Sequence, residues 1–270
     1  MRSIRNRLLR KSAQQQLPSE RERPEDLYLD LMKKCLTRIA FPDSCVDMHL
    51  IPTGMFDPEA RKLGQDWPSE AETMIGIERL SNIKQCVTDI LREKIPGDLV
   101  EAGVWRGGAS IFMRAILKAY GDGTRNVWVV DSFAGLPVAD GEKFPADAQD
   151  KLSEYNSYLG VPLDVVKHNF NRYGLLDGQV RFLPGWFRDS LPNAPIQQIA
   201  VLRLDGDMYE STIDILEHLY GKVSRGGYVI VDDYGALPNC RAAVSDFRER
   251  RRISDEIQLI DWTGAYWRKS

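Results

Sequence analysis

Two short apolar runs, each ending in a pair of acids, constrain this chain more than anything else in it. Ala200 to Leu204 is broken only by Arg203 and stops at Asp205-Gly206-Asp207. Gly227 to Val231 repeats the arrangement and stops at Asp232-Asp233. Runs this short and apolar read as strands covered on both faces, as in a parallel sheet. Ligands bind such sheets beyond the carboxyl ends of the strands. Two strands would therefore deliver four carboxylates to one rim, where like charges repel unless a cation or a proton intervenes. A divalent-metal site with one carboxylate left over as a base accounts for all four. Taken singly, each acid has a plainer use. Asp207 stands where it would cap the following helix, and Asp232-Asp233 would make a turn before Pro238.

From Asp98 onward strands alternate with helices. The expected strands are Leu99–Val104, Asn126–Asp131, Gln179–Leu183, Ala200–Asp205 and Gly227–Asp232. A closing hairpin joins Ile257–Trp262 to Ala265–Arg268 around Thr263-Gly264. Helices are expected from Gly107-Gly108, with Ile111, Phe112, Ala115, Ile116 and Ala119 inward, and around 147–159, 162–173, 209–222 and 238–251. This order predicts an α/β fold with a doubly wound, mostly parallel sheet and an antiparallel edge. The connection Ser132–Asp147, with Gly135, Pro137, Gly141 and Pro145, has the length of a lid or a disordered loop.

Residues 26–97 show helices and no clear strand. Leu27, Leu31, Met32, Cys35, Leu36 and Ile39 recur at helical spacing, and 40–68 read as loop. Ser69 with Glu72 has the form of a capping box that opens a helix running to about Lys94. This part is expected to cap one end of the sheet of the domain at 98–270. Residues 1–25 are polar and highly charged and read as a mobile arm.

A net charge of −3 gives no basic field for nucleic acid. No apolar run approaches the ~18 residues of a transmembrane helix, and the basic start lacks the apolar segment of a secretory signal. Cys35, Cys45, Cys86 and Cys240 show no CxxC spacing and read as free thiols of a reducing, cytoplasmic compartment. His49, His168 and His218 lie too far apart in sequence to suggest zinc.

A second half of the site lies upstream. Glu101-Ala102-Gly103-Val104-Trp105-Arg106-Gly107-Gly108 follows a strand and opens a helix, so the glycines let a ligand approach the backbone. The spacing is not the dinucleotide G-x-G-x-x-G, which argues against a nicotinamide dehydrogenase and for a ligand without phosphates. Asp131 ends the next strand, where an acid accepts hydrogen bonds from ribose hydroxyls. Glu101 suits a cationic amino-acid tail, and Gly185-Trp186 offers an aromatic wall for adenine. Ribose, an ammonium group and no phosphate together describe S-adenosylmethionine.

The segments DWPSEAETMIGIERLSN (66–82), VEAGVWRGGAS (100–110), VVDSFAGLP (129–137), LPGWFRDSLP (183–192), VLRLDGDMYEST (201–212), GGYVIVDDYGA (226–236) and DWTGAYWRK (261–269) resemble the macrocin O-methyltransferase family. That family methylates deoxysugar hydroxyls on macrolides and aminocoumarins. The resemblance implies a seven-stranded class I methyltransferase fold, Rossmann-like, using S-adenosylmethionine and Mg2+. It implies metal ligation by Asp205, Asp232 and Asp233, with Asp207 as general base. It puts the cofactor against Thr73 and Met74, against Glu101, Ala102, Gly103, Val104 and Trp105, against Asp131, Ser132 and Phe133, and against Gly185 and Trp186. It also implies a homo-oligomer, dimer or tetramer, acting on a small-molecule glycoside. A metal-dependent methyltransferase of phenols would share the sheet and the acidic rim, and a non-catalytic binding module would share the sheet. Arg203 receives no role at this level.

Overall fold

The computed structural model describes residues 23–270, so the expected mobile arm lies outside the described residues up to residue 22. Its last two residues belong instead to a helix, α1 (Pro24–Leu36). Then follow α2 (Pro58–Leu63), α3 (Ile77–Arg92), β1 (Asp98–Ala102), α4 (Gly108–Ala119), β2 (Val127–Asp131), α5 (Asn156–Leu159), α6 (Leu163–Arg172) and β3 (Val180–Pro184). The chain closes with α7 (Phe187–Ser190), β4 (Ile199–Leu204), α8 (Tyr209–Leu219), β5 (Val223–Val231), α9 (Pro238–Arg251), β6 (Gln258–Leu259) and β7 (Ala265–Arg268).

The seven strands form one sheet in the order β3-β2-β1-β4-β5-β7-β6. β1 to β5 run parallel, and β7 is antiparallel to both β5 and β6. This is the doubly wound sheet with an antiparallel edge. The chain winds outward from β1 through β2 to β3, then returns to start β4 on the other side of β1. β1 and β4 thus flank the topological switch point, where crossovers diverge and leave a crevice.

Alternation along each strand feeds two cores. One face takes Leu99, Val127, Val129 and Val201 against Ile83, Val87 and Ile90 of α3, Phe112 of α4 and Phe170 of α6, with Leu29 and Leu36 of α1 in the same cluster. The other takes Val100, Val130, Leu202 and Val229 against Leu216 and Leu219 of α8 and Val244 and Phe247 of α9. Helices α1 and α3 therefore share the core of the sheet with α4 and α6.

The capping box at Ser69 and Glu72 is corrected. Helix α3 begins at Ile77, and its N-cap is Gly76. Arg38, Arg172 and Tyr173 claim the Glu72 carboxylate, and Asp43 takes the backbone N–H of Glu70 and Ala71. Helix α2 lies inside the stretch read as loop. Its signals are local: Asp57 accepts from the N–H of Glu59 and Ala60, Pro58 opens the helix, and Gly64 closes it. The helical segments expected around 147–159 are 3-10 turns and the single turn α5. No helix among the described residues is long and apolar enough to cross a membrane.

Candidate active site

Backbone contact between the ends of β1 and β4 builds the centre of the site. Gly103 has φ +87°, and a Cβ there would fall 1.7 Å from the Asp205 carbonyl oxygen, so only glycine allows this approach. A similar contact at Gly108, where a Cβ would fall 2.4 Å from the Glu72 carbonyl, seats Glu72-Thr73 on the start of α4. Trp105, Phe133 and Asp207 all have positive φ (46°, 55° and 57°) at or just past strand ends. Non-glycine residues in that region cost on the order of 1 kcal/mol each and cluster at functional sites.

One cavity lies over this rim. Its lining includes Thr73, Met74, Glu101, Gly103, Val104, Trp105, Asp131, Ser132 and Trp186, together with Asp205, Asp207, Asp232 and Asp233. Three of the residues expected to meet the cofactor, Ala102, Phe133 and Gly185, do not line the cavity. Ala102 is buried in the core. Phe133 packs against Phe182. Gly185 donates to the Asp131 carbonyl at 2.9 Å.

Asp205, Asp207 and Asp233 each place a carboxylate oxygen within 4.8 Å of the others. This is not the expected trio of metal ligands, because Asp232 is turned elsewhere. Arg79 and Arg203 hold its two oxygens separately. Burial works against the Asp232 charge, but Arg203 and Arg79 outweigh it and keep its pKa below the ordinary carboxylate value. The other three move upward. Burial and then Asp232 raise Asp205. Burial, then Asp205 and Asp232, push Asp207 well up. Burial, then Asp207 and Asp205, do the same to Asp233. Asp233 Oδ2 is buried without a hydrogen-bond partner. Converging, mutually repelling oxygens, one of them unpartnered, are what a hard divalent cation satisfies. The residues present fit Mg2+, with oxygens of Asp205 and Asp233 to hold it and the Asp207 carboxylate beside them.

Arg203 is the residue that sequence reasoning left without a role. It is buried inside β4, with Nη1 2.6 Å from Glu101 and 2.9 Å from Asp205 and Nη2 on Asp232. Arg79 continues the chain of charges to Asp261 at 3.1 Å. Both left a signal. Arg203 interrupts an apolar strand, and Arg79 stands four residues before Ile83, on the buried face of α3. Glu101, expected to meet an ammonium group, already accepts from Arg203 and Ser110. Burial pushes its pKa up to about 7. Asp131 accepts from the N–H of Val104 on Oδ2 and of Phe133 on Oδ1, both at 2.7 Å, and from the Ser132 hydroxyl on Oδ1 at 3.4 Å. Trp67, Arg188, Glu210 and Trp262 also line the cavity and were not anticipated.

Comparison with known proteins identifies the family. The family described as Macrocin-O-methyltransferase (TylF) matches residues 25–269. The chain is 55% identical over 247 residues to the 8-demethyl-8-(2,3-dimethoxy-alpha-L-rhamnosyl)-tetracenomycin-C 4'-O-methyltransferase of Streptomyces olivaceus, covering 92% of this chain and 94% of that one. It is 51% identical over 247 residues to the mycinamicin III 3''-O-methyltransferase of Micromonospora griseorubida, covering 91% and 97%. Among solved structures, the O-methyltransferase NovP superposes with a TM-score of 0.87 at 51% identity, covering 91% of this chain and 99% of that one. The calicheamicin methyltransferase CalS11, at 19% identity and a TM-score of 0.57, shares the fold. The chain belongs to the macrocin O-methyltransferase family and is an O-methyltransferase of the class I fold.

Proposed function

We propose that this protein moves the methyl group of S-adenosylmethionine to a sugar hydroxyl of a glycosylated natural product, with Mg2+ at the acidic rim. The observation that carries the reading is the convergence of Asp205, Asp207 and Asp233 in the same cavity as Asp131 and the turn from Glu101 to Trp105. The substrate class follows the relatives, whose names specify a rhamnosyl tetracenomycin and mycinamicin III.

An aliphatic hydroxyl is a weak acid and a poor nucleophile at neutral pH. When bound, the cation lowers the pKa of a hydroxyl and the sulfonium cofactor offers an electrophilic methyl group. Asp205 and Asp233 would hold the cation, while Arg79 and Arg203 fix the charge of Asp232 behind them. Asp207 receives the hydroxyl proton on its carboxylate. Burial is the first of the causes that raise its pKa, which favours its taking up a proton. Asp131 binds ribose hydroxyls, Trp186 walls the adenine, and Thr73 and Met74 border the donor. Leu136, Pro137 and Leu159 close the cavity from the β2–α6 connection and exclude water. The rest of the catalysis is orientation and charge placement.

The four free thiols are in keeping with a cytoplasmic enzyme. Exposed Phe41, Met48, Ile51 and Met55 are in keeping with a homo-oligomer, which sedimentation would reveal. The reaction is tested with methyl-labelled S-adenosylmethionine and parallel panels of glycosides, their aglycones and simple phenols. Transfer to glycosides that a chelator abolishes and Mg2+ restores is expected. Transfer to phenols or aglycones alone would refute the substrate class, and turnover unaffected by the chelator would refute the cation.

A further inference from the structure

The connection from β2 to α6 carries one fully buried carboxylate, Asp147. It makes no hydrogen bond to the clustered acids. Its oxygens accept instead from the backbone N–H of Tyr209 at 2.7 Å and of Glu210 at 2.9 Å. These are the first two N–H groups of α8, which no intrahelical carbonyl can satisfy. The residue at the cap, Met208, provides no side-chain acceptor. The cap therefore comes from 62 residues away in sequence, and its charge complements the positive end of the helix. Asp207, the acid that sequence position suggested as this cap, is free for other work. Asn239, in the first turn of α9, donates to Asp147 at 3.0 Å and to Asp150 at 2.9 Å.

Each of these helices is preceded by an acid of the site. Asp207 leads into α8 in a left-handed conformation, with Met208 N–H on the Gly206 carbonyl at 2.6 Å. Asp233 leads into α9 through a turn closed by Leu237 N–H on its carbonyl at 2.9 Å. A left-handed aspartate keeps its direction only if the surrounding structure over-determines it. The anchor on the far side of that turn is the start of α8, and Asp147 holds it.

We propose that Asp147 is a positioning residue for methyl transfer: by capping α8 from across the chain and holding Asn239 of α9, it sets the direction of Asp207 relative to Asp233. The inference rests on Asp207 being the base. Its consequence is that the β2–α6 connection orders the base as well as walling the cavity. The rate of proton removal then depends on a residue that touches neither substrate nor cofactor.

The test is a double-mutant cycle on the full-length enzyme with saturating Mg2+: wild type, Asp147→Ala, Asp207→Asn and the double variant, read by kcat and KM. Hydrogen exchange is followed at residues 205–215. Asp147→Ala should lower kcat ~10–100-fold, the penalty of an ångström-scale misplacement. KM for S-adenosylmethionine should stay within about twofold, and exchange at Tyr209 and Glu210 should accelerate. Because the effect acts through Asp207, the double variant should be no slower than Asp207→Asn alone. Asp147→Asn keeps one acceptor oxygen and should fall between; it takes the place of Asp147→Ala in the cycle if that variant does not fold. A kcat within about twofold of wild type for Asp147→Ala, or losses that multiply in the double variant, would overturn the inference. A wild-type rate in Asp207→Asn would sink the base assignment and this inference with it. A slow Asp207→Asn beside a full-rate Asp147→Ala would sink this inference alone.

Discussion

Replacing Arg203 by methionine isolates the charge at the heart of the site. The variant keeps an unbranched stem inside β4 but leaves Glu101, Asp205 and Asp232 without the guanidinium they share. Breaking a buried pair from one side costs about 3–5 kcal/mol, against a total stability of about 5–15 kcal/mol. The three losses do not add. Asp232 keeps Arg79, and Glu101, already pushed up to about 7, takes a proton. The whole substitution should therefore stay within that range. An unfolding entropy of about 2.1 cal/mol/K per residue over 270 residues converts it to a fall in Tm of ~5–9 °C. The pH dependence has a sign. The folded pKa of Glu101, about 7, lies above its reference of 4.5. Its contribution to stability is complete below the reference value and is lost as the pH rises through the folded one. Without Arg203 that folded pKa moves higher still, so the gap between wild type and variant should widen as the pH climbs past about 7. Calorimetric unfolding in chelator from about pH 6 to about pH 8.5 measures both quantities. A Tm within ~2 °C of wild type, or a gap that narrows with rising pH, would refute the reasoning.

Three further outcomes are expected. Glu72 is buried against Arg38 (2.9 Å), Tyr173 (3.0 Å) and Arg172 (3.1 Å) and sets Thr73 and Met74 on α4. Glu72→Gln should raise KM for S-adenosylmethionine ~10-fold at nearly constant kcat, read in steady-state kinetics. Gly103→Ala drives a methyl group into the Asp205 carbonyl from a backbone of positive φ, and urea unfolding should show a loss of at least ~3 kcal/mol. Asp233→Asn should weaken Mn2+ binding ~10–100-fold in calorimetric titration. In the wild type that affinity should rise with pH, because the upward-shifted Asp205 and Asp233 must shed protons to bind a cation.

The parallel strands were legible because burial in the sheet demands a short, largely apolar run, and that demand is local. Four of the five appear within one or two residues of their expected positions. The exception, β5, starts earlier because Val223 pairs with Ile199, a contact no neighbouring residue announces. The Ser69–Glu72 motif misled for the opposite reason. Its form was right for a helix start, but Arg38 and Arg172, 34 and 100 residues from Glu72, had already taken the carboxylate.

What the sequence by itself determined is that Asp205, Asp207, Asp232 and Asp233 stand at strand ends on one rim, since strand length and direction follow from local pattern. Which of them converge was decided only by the tertiary structure. Strand order placed β4 between β1 and β5, and Arg79, 153 residues from Asp232, joined Arg203 in taking that carboxylate. Ion pairing depends on distance in space and on exclusion of water, and the order of residues along the chain records neither.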